Sequence, residues 1–150
     1  MEVDDGIIKE LLALVPQQEP FRFIDEIISV DEEQIVGAYR FREDEFFYRG
    51  HFPGRPVTPG VILIETMAQI GVVAFGMYLL ACKRNVRPSQ MEYPLSLFSH
   101  MDEVEFKGIV VPGSISCFLV TIPPMIRPLP QKQQQSSYIG NRNWESNKRK

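Results

Sequence analysis

His51 and Glu65 are the two side chains whose types and surroundings suit proton transfer. His51 stands in HFPGRPVTPG, residues 51–60, a run so rich in Gly and Pro that it excludes a regular helix or strand and must be a built loop. An imidazole titrates near pH ~6.5 and takes or gives a proton at neutrality, which makes His51 a candidate general base. Glu65 is the only charged residue between Arg55 and Lys83. A helix carrying it would hold the carboxyl against apolar packing, which favours the protonated acid. Two groups whose surroundings push their protonation states apart suit acid–base work on one substrate. Taken singly, each has an ordinary explanation: a loop histidine satisfied by backbone, and a glutamate paired with a core arginine.

The elements that must position this pair are legible in the pattern around it. Ile7, Ile8, Leu11, Leu12 and Val15 recur at helical spacing, so Asp5 to Val15 is expected to be a short amphipathic helix closed by Pro16 and packed on the domain's edge. Phe21 to Val30 and Gln34 to Phe41 are rich in β-branched and aromatic residues, with Asp31, Glu32 and Glu33 between them, and predict an antiparallel hairpin. From Gly60 the pattern turns helical and stays apolar on nearly every face to about Ala81, as for a helix enclosed by sheet. Lys83 to Tyr93 is a polar exit loop. Leu95 to Ile109 alternates as a strand does, especially Met101 to Phe106; VVPG at 110–113 supplies a turn, and Ser114 to Ile122 a further strand. Residues 123–150 lack strand periodicity and are rich in Pro, Gln, Asn and basic residues. The expectation is one folded domain over 1–122 and a disordered basic tail over 123–150.

Composition limits the classes of function. The chain has 150 residues, 44% hydrophobic and 23% charged, with a net charge of -3, ordinary for one soluble globular domain. Residues 1–122 carry ten Lys/Arg against eighteen Asp/Glu, and residues 123–150 six against one. Nothing in that balance points to nucleic acid. Val61 to Cys82 is long enough to span a bilayer, but Glu65 within it favours a buried core helix over a membrane segment. Cys82 and Cys117 have no metal-ligand spacing and are expected to be small buried hydrophobes in a reducing compartment. The start, MEVDDGIIKE, lacks the basic and long apolar regions of a secretory signal, so cytoplasm is the expected location.

HFPG with Arg55 after it, then PVTPG, then VILIETMAQ form a long, low-degeneracy pattern. PFRFID at 20–25 and VEFKGIVVPG at 104–113 flank it in order. On these residues the chain resembles the hot-dog-fold (3R)-hydroxyacyl-[acyl carrier protein] dehydratases of bacterial fatty acid synthesis, of the FabZ type, across roughly residues 7–120. The resemblance implies an α+β hot-dog fold, an antiparallel sheet wrapped around a long central helix, assembled as a homodimer or a trimer of dimers. It implies that His51 faces Glu65 of a second subunit. His51 then removes the proton next to a thioester carbonyl and Glu65 protonates the departing 3-hydroxyl, leaving a trans-2-enoyl thioester and water. No metal or other cofactor enters.

Within that chemistry Gly60 is the candidate oxyanion donor, because it opens the helix, where free N–H groups and the positive end of the dipole favour an anion and a glycine permits close approach. Gln69, one turn beyond Glu65, is placed to orient the carboxyl or hold the leaving water. The implied partner is an acyl carrier protein bearing a phosphopantetheine-tethered acyl chain, with Lys83, Arg84, Arg87 and Lys107 available to an acidic surface. Thr58 stands where the family often has Met, which would alter the packing of the loop. The family continues beyond the VVPG strand with further strands that this chain's residues 123–150 do not resemble. That departure keeps open a catalytically silent or truncated hot-dog subunit that binds acyl carrier protein, beside another acyl-thioester activity such as a thioesterase.

Overall fold

The computed structural model describes residues 3–92 and 100–122. Helix α1 spans Asp5–Leu14. Asp4 caps it, its carboxylate accepting from the Ile7 N–H at 2.7 Å, so one of the orphan donors of the first turn is satisfied. The far end is closed by a cation: the Arg22 guanidinium donates to the Leu12 carbonyl at 2.7 Å, at the negative end of the helix dipole. The apolar stripe read from the sequence is real, with Ile7 and Leu11 fully buried.

Strands β1 (Glu26–Val30) and β2 (Gln34–Arg40) form the expected antiparallel hairpin. Asp31 makes the turn, one carboxylate oxygen accepting from the N–H groups of Glu33 and Gln34. The first strand is shorter than its β-rich composition predicts: residues 21–24 run outside the ladder, the Asp25 N–H makes the first bond to β2 at the Ala38 carbonyl, and the register is irregular between Ile27 and Ser29. Strand β3 (Ile115–Thr121) pairs antiparallel with β2 along its whole length, from Gln34 opposite Thr121 to Arg40 opposite Ile115. The described sheet has the order β1-β2-β3.

The central helix runs Gly60–Arg84, past the expected end at Ala81. It is α-helical over Gly60–Ala68 and Gly76–Arg84 and widens to a π-helix over Gln69–Phe75. Asn85 ends it in the left-handed conformation, φ 53°, and passes its N–H back to the carbonyls of Ala81 and Cys82. By length and composition this helix could cross a membrane. In the fold its π-wound middle packs on β2 and β3. Two glycines permit that approach. A Cβ at Gly37 would stand 2.9 Å from Ile70, and one at Gly71 would stand 2.7 Å from Val120, so each missing side chain is space that the opposite element fills. Ile7, Leu11, Ile35, Ile70, Ala74 and Tyr78 centre one core cluster; Phe23, Tyr39, Phe41, Tyr48 and Ile62 form another beneath the loop that carries His51.

The strand expected over Leu95 to Ile109 is not present where it is described. Residues 93–99 lie outside the described residues, and 101–109 are irregular and exposed. Glu103 takes a positive φ of 50°, which breaks an extended run, and no backbone ladder bond reaches 101–109 from the described residues. Alternation supplies a face for a strand but no partner edge. The cysteine expectation also needs correction: Cys82 is half-buried and Cys117 exposed, because the register of β3 puts Cys117 on the outer face with Ile115 and Leu119. The tail expected over 123–150 lies outside the described residues.

Candidate active site

His51 sits at the mouth of a loop whose two limbs are tied together by backbone. The 3₁₀ turn Phe46–Arg49 delivers the chain to it. The His51 N–H donates to the Phe47 carbonyl at 3.0 Å, and the Val57 N–H returns to the His51 carbonyl at 2.9 Å. Gly54 takes φ 76° at the tip, which a residue with a Cβ rarely adopts. The half-buried imidazole stacks on Phe52, ring centroids 4.1 Å apart, and its Nδ1 lies 2.8 Å from the Val57 carbonyl oxygen. A carbonyl only accepts, so in the neutral ring Nδ1 carries the hydrogen and Nε2 keeps the lone pair.

Behind the loop the packing is polar but satisfied. Tyr48 and Thr58, both buried, share a hydrogen bond between hydroxyls at 2.5 Å. Thr58 also donates its backbone N–H to the Val110 carbonyl at 2.9 Å. Glu45, buried at the start of the same turn, accepts from the Tyr39 hydroxyl and lies 3.7 Å from the Arg42 guanidinium, which in turn bonds Asp25 at 2.9 Å. Burial, and then the contact with Glu45, push the Tyr39 hydroxyl well above the usual phenol pKa, so it stays a proton donor at any ordinary pH. Burial raises Tyr48 in the same sense.

Glu65 lies early in the central helix, but the chain does not enclose its carboxyl as its apolar neighbours suggested: the residue is only half-buried. Glu65 shares its stretch of helix with Val61, one turn before it and 70% exposed, and Val72, two turns after it and also accessible. Its described partner is Gln69, whose Nε2 donates to Glu65 Oε1 at 2.9 Å. No arginine pairs with Glu65 among the described residues. Gln69 itself is fully buried, and its amide is pinned: Oε1 accepts from the Phe23 N–H at 2.7 Å and Nε2 also donates to the Phe21 carbonyl at 2.9 Å. One buried amide therefore joins the segment before β1 to the carboxyl on the helix.

Gly60 opens the helix after Pro59 as expected. Its N–H and that of Val61 have no hydrogen-bond partner among the described residues, and the first helical bonds run from Ile62 and Leu63 to the Pro59 carbonyl. The close approach that a glycine permits is made here by the Phe106 ring, 2.8 Å from where a Cβ would stand. His51 and Glu65 do not hydrogen-bond each other within the described chain; their partners are Val57 and Gln69. Val57, Tyr48 and Glu45 join the site without a signal in the residue pattern. Val57 acts through its carbonyl, which no residue type announces, while Tyr48 meets Thr58 only when the loop closes and Glu45 meets Tyr39 only when β2 packs beside the turn.

The FabA-like domain profile matches residues 15–127, most of the chain and all of this site. The chain belongs to the FabA-like family. Over 134 residues it is 30% identical to "3-hydroxyacyl-[acyl-carrier-protein] dehydratase FabZ" of Herpetosiphon aurantiacus, covering 89% of this chain and 88% of that protein. It is 35% identical over 115 residues to the protein of the same name from Escherichia coli O9:H4, covering 76% of this chain and 71% of that one. It is 38% identical over 125 residues to "Bifunctional enzyme LpxC/FabZ" of Porphyromonas gingivalis, covering 83% of this chain and 24% of that larger protein. The fold of this FabA-like chain is accordingly the hot-dog: an antiparallel sheet against one long helix, with three strands described.

Proposed function

We propose that this FabA-like chain is a hydro-lyase that dehydrates (3R)-hydroxyacyl thioesters carried on acyl carrier protein to trans-2-enoyl thioesters, in fatty acid or related acyl-chain synthesis. The observation that carries the reading is the bond between His51 Nδ1 and the Val57 carbonyl. It commits the imidazole's hydrogen to Nδ1 and leaves Nε2 as a base, the form needed to take the proton alpha to a thioester carbonyl. The electron pair released forms the C2–C3 double bond as the C3–O bond breaks. Glu65, protonated, gives its proton to the departing hydroxyl, and water leaves. The negative charge that grows on the thioester oxygen is met by the free N–H groups at the start of the helix, those of Gly60 and Val61. Gln69 holds the Glu65 carboxyl in one orientation. No metal or redox cofactor takes part.

A homodimer completes this site in the same proposal, with Glu65 supplied across the interface to His51. The half-exposed carboxyl and the accessible Val61 and Val72, one turn before it and two turns after it, support that arrangement, because a second subunit over this face would remove the carboxyl from water and favour its protonated form. Cytoplasm is the location that fits such a substrate. The test is to offer the purified chain a 3-hydroxyacyl carrier thioester and follow the conjugated enoyl product. His51→Ala and Glu65→Gln should each lower kcat by roughly 10²–10⁴-fold, the usual worth of a positioned acid or base. Mixing the two inactive variants should restore part of the activity, since a mixed dimer has one intact site. A folded dimer that makes no product would sink the dehydratase reading.

One observation favours a second reading. The outer edge of β3 pairs with nothing among the described residues, and the helix side next to it lines an open apolar cleft of about 540 Å³. A chain with that edge bare would serve as a silent hot-dog subunit that binds acyl carrier protein; the same assay separates the two, since a silent subunit binds the carrier and turns nothing over.

A further inference from the structure

We propose that the buried hydroxyl pair Tyr48–Thr58 is a clasp that positions His51, holding the Val57 carbonyl where it selects the tautomer of the imidazole. The idea rests on the dehydratase reading only for its catalytic consequence; the structural part stands without it.

The loop between these residues has few means of holding itself. Pro53, Pro56 and Pro59 have no N–H to donate, and the described backbone bonds inside it are those of Arg55 to Phe52 and Val57 to His51. What fixes its two limbs is at their base. Tyr48 belongs to the limb before His51 and is set by its N–H to the Glu45 carbonyl at 3.1 Å. Thr58 follows Val57 directly and is set by its N–H to Val110 at 2.9 Å. Their side chains meet at 2.5 Å, at 6% and 4% exposure, between the limbs. An apolar pair of similar volume would fill the space without tethering it. The hydroxyl pair adds direction, and it is costly to break on one side because the other hydroxyl is left buried and unpaired.

The consequence reaches His51 through one peptide group. Val57 is bonded to His51 twice, by its N–H to the His51 carbonyl and by its own carbonyl to Nδ1. If Thr58 is free to shift, the Val57 carbonyl turns with it and the Nδ1 contact weakens. A neutral imidazole without that contact divides between its two tautomers, and the fraction with hydrogen on Nε2 cannot accept a proton there. Tyr48 and Thr58 are therefore positioning residues. Neither touches the reacting atoms.

The test uses the full chain labelled with ¹⁵N at histidine, at about pH 8, where an ordinary imidazole is neutral. The chain has two histidines, His51 and His100, and His100→Gln assigns the signals. In the parent the His51 nitrogens should report hydrogen on Nδ1. In Tyr48→Phe and in Thr58→Val they should move toward the averaged values of a tautomer mixture, while Thr58→Ser, which keeps the hydroxyl, should return the parent pattern. On acyl-carrier substrate the two hydroxyl-deleted variants should lose roughly tenfold in kcat with KM within about twofold, since a small misplacement of a catalytic group acts on the bound state. Combined, they should cost no more than either alone. Unchanged ¹⁵N signals in folded Tyr48→Phe and Thr58→Val would overturn the clasp, and so would a fall in activity without a tautomer change. If Thr58→Val fails to fold, Tyr48→Phe against Thr58→Ser decides the matter. Should the parent lack dehydratase activity while the tautomer responds as stated, the clasp stands and the proposed reaction falls.

Discussion

Two sides of the central helix are built to different standards. On the side of β1, β2 and the His51 loop, almost every polar group has a partner: Gln69 is fully buried with three bonds, Tyr48 with Thr58, Tyr39 with Glu45. On the side of β3 and residues 100–111 the chain presents apolar side chains to solvent, Ile109 at 71% and Leu119 at 61% exposed, along an edge with no described neighbour. The first side's contacts close mostly within the hairpin, the loop and the helix, with one backbone bond from Thr58 reaching across to Val110. The second depends on atoms that the described residues do not supply. The two groups proposed for catalysis also differ in what holds them, His51 being set by its own loop and Glu65 by the buried Gln69 amide.

The contrast can be broken most forcefully in the core. Ile70 fills the space over Gly37 and is fully buried, so Ile70→Ala should destabilise by about 2–5 kcal/mol in chemical denaturation, with transfer and cavity terms adding. A loss under about 1 kcal/mol would mean that this side is no better packed than the other. Gln69→Leu keeps the volume but strands the buried Phe23 N–H, which should cost about 1–3 kcal/mol, while the part-buried Phe21 carbonyl it also releases can turn to water. Glu65 loses its orienting donor in the same variant, so kcat should fall further than the stability loss explains.

Leu119→Lys tests the other side. On an exposed strand face it should change stability by no more than about 0.5 kcal/mol and raise solubility, because a charge on an edge strand discourages edge-to-edge association. A large loss instead would show that this face is covered in the working assembly. The smallest effect is at the N-cap. The Asp4 carboxylate, held by the Ile7 N–H, has its pKa lowered, so its contribution to stability is complete above the ordinary aspartate range and fades as pH falls through the lower folded value. Below about pH 4 the melting temperature of the parent should fall more steeply than that of Asp4→Asn, which keeps a capping oxygen but does not titrate.

Much of the better-built side was legible in residue order. The stripe of Ile7 and Leu11, the hairpin around Asp31 and the unbroken apolar run after Gly60 each follow from local periodicity, and each is present. The expectation for Met101 to Phe106 failed because alternation describes only one partner of a ladder, while a strand needs two. Cys117 is exposed for a related reason: its neighbours in sequence are apolar, but the register of β3 decides which of them face the helix.

Residue types and their order were enough to single out His51 and Glu65 as candidates, and to determine the Gly/Pro loop, the helix that follows it and a resemblance that the family match bears out. These are properties of contiguous chain, set by periodicity and backbone restriction. Only the tertiary structure decided which nitrogen of His51 keeps its lone pair, that Gln69 is pinned through the segment before β1, and that Tyr48 and Thr58 meet behind the loop. Each of those depends on atoms far apart along the chain, or on a backbone carbonyl. Residue identity carries no information about such groups until folding brings them within hydrogen-bonding distance.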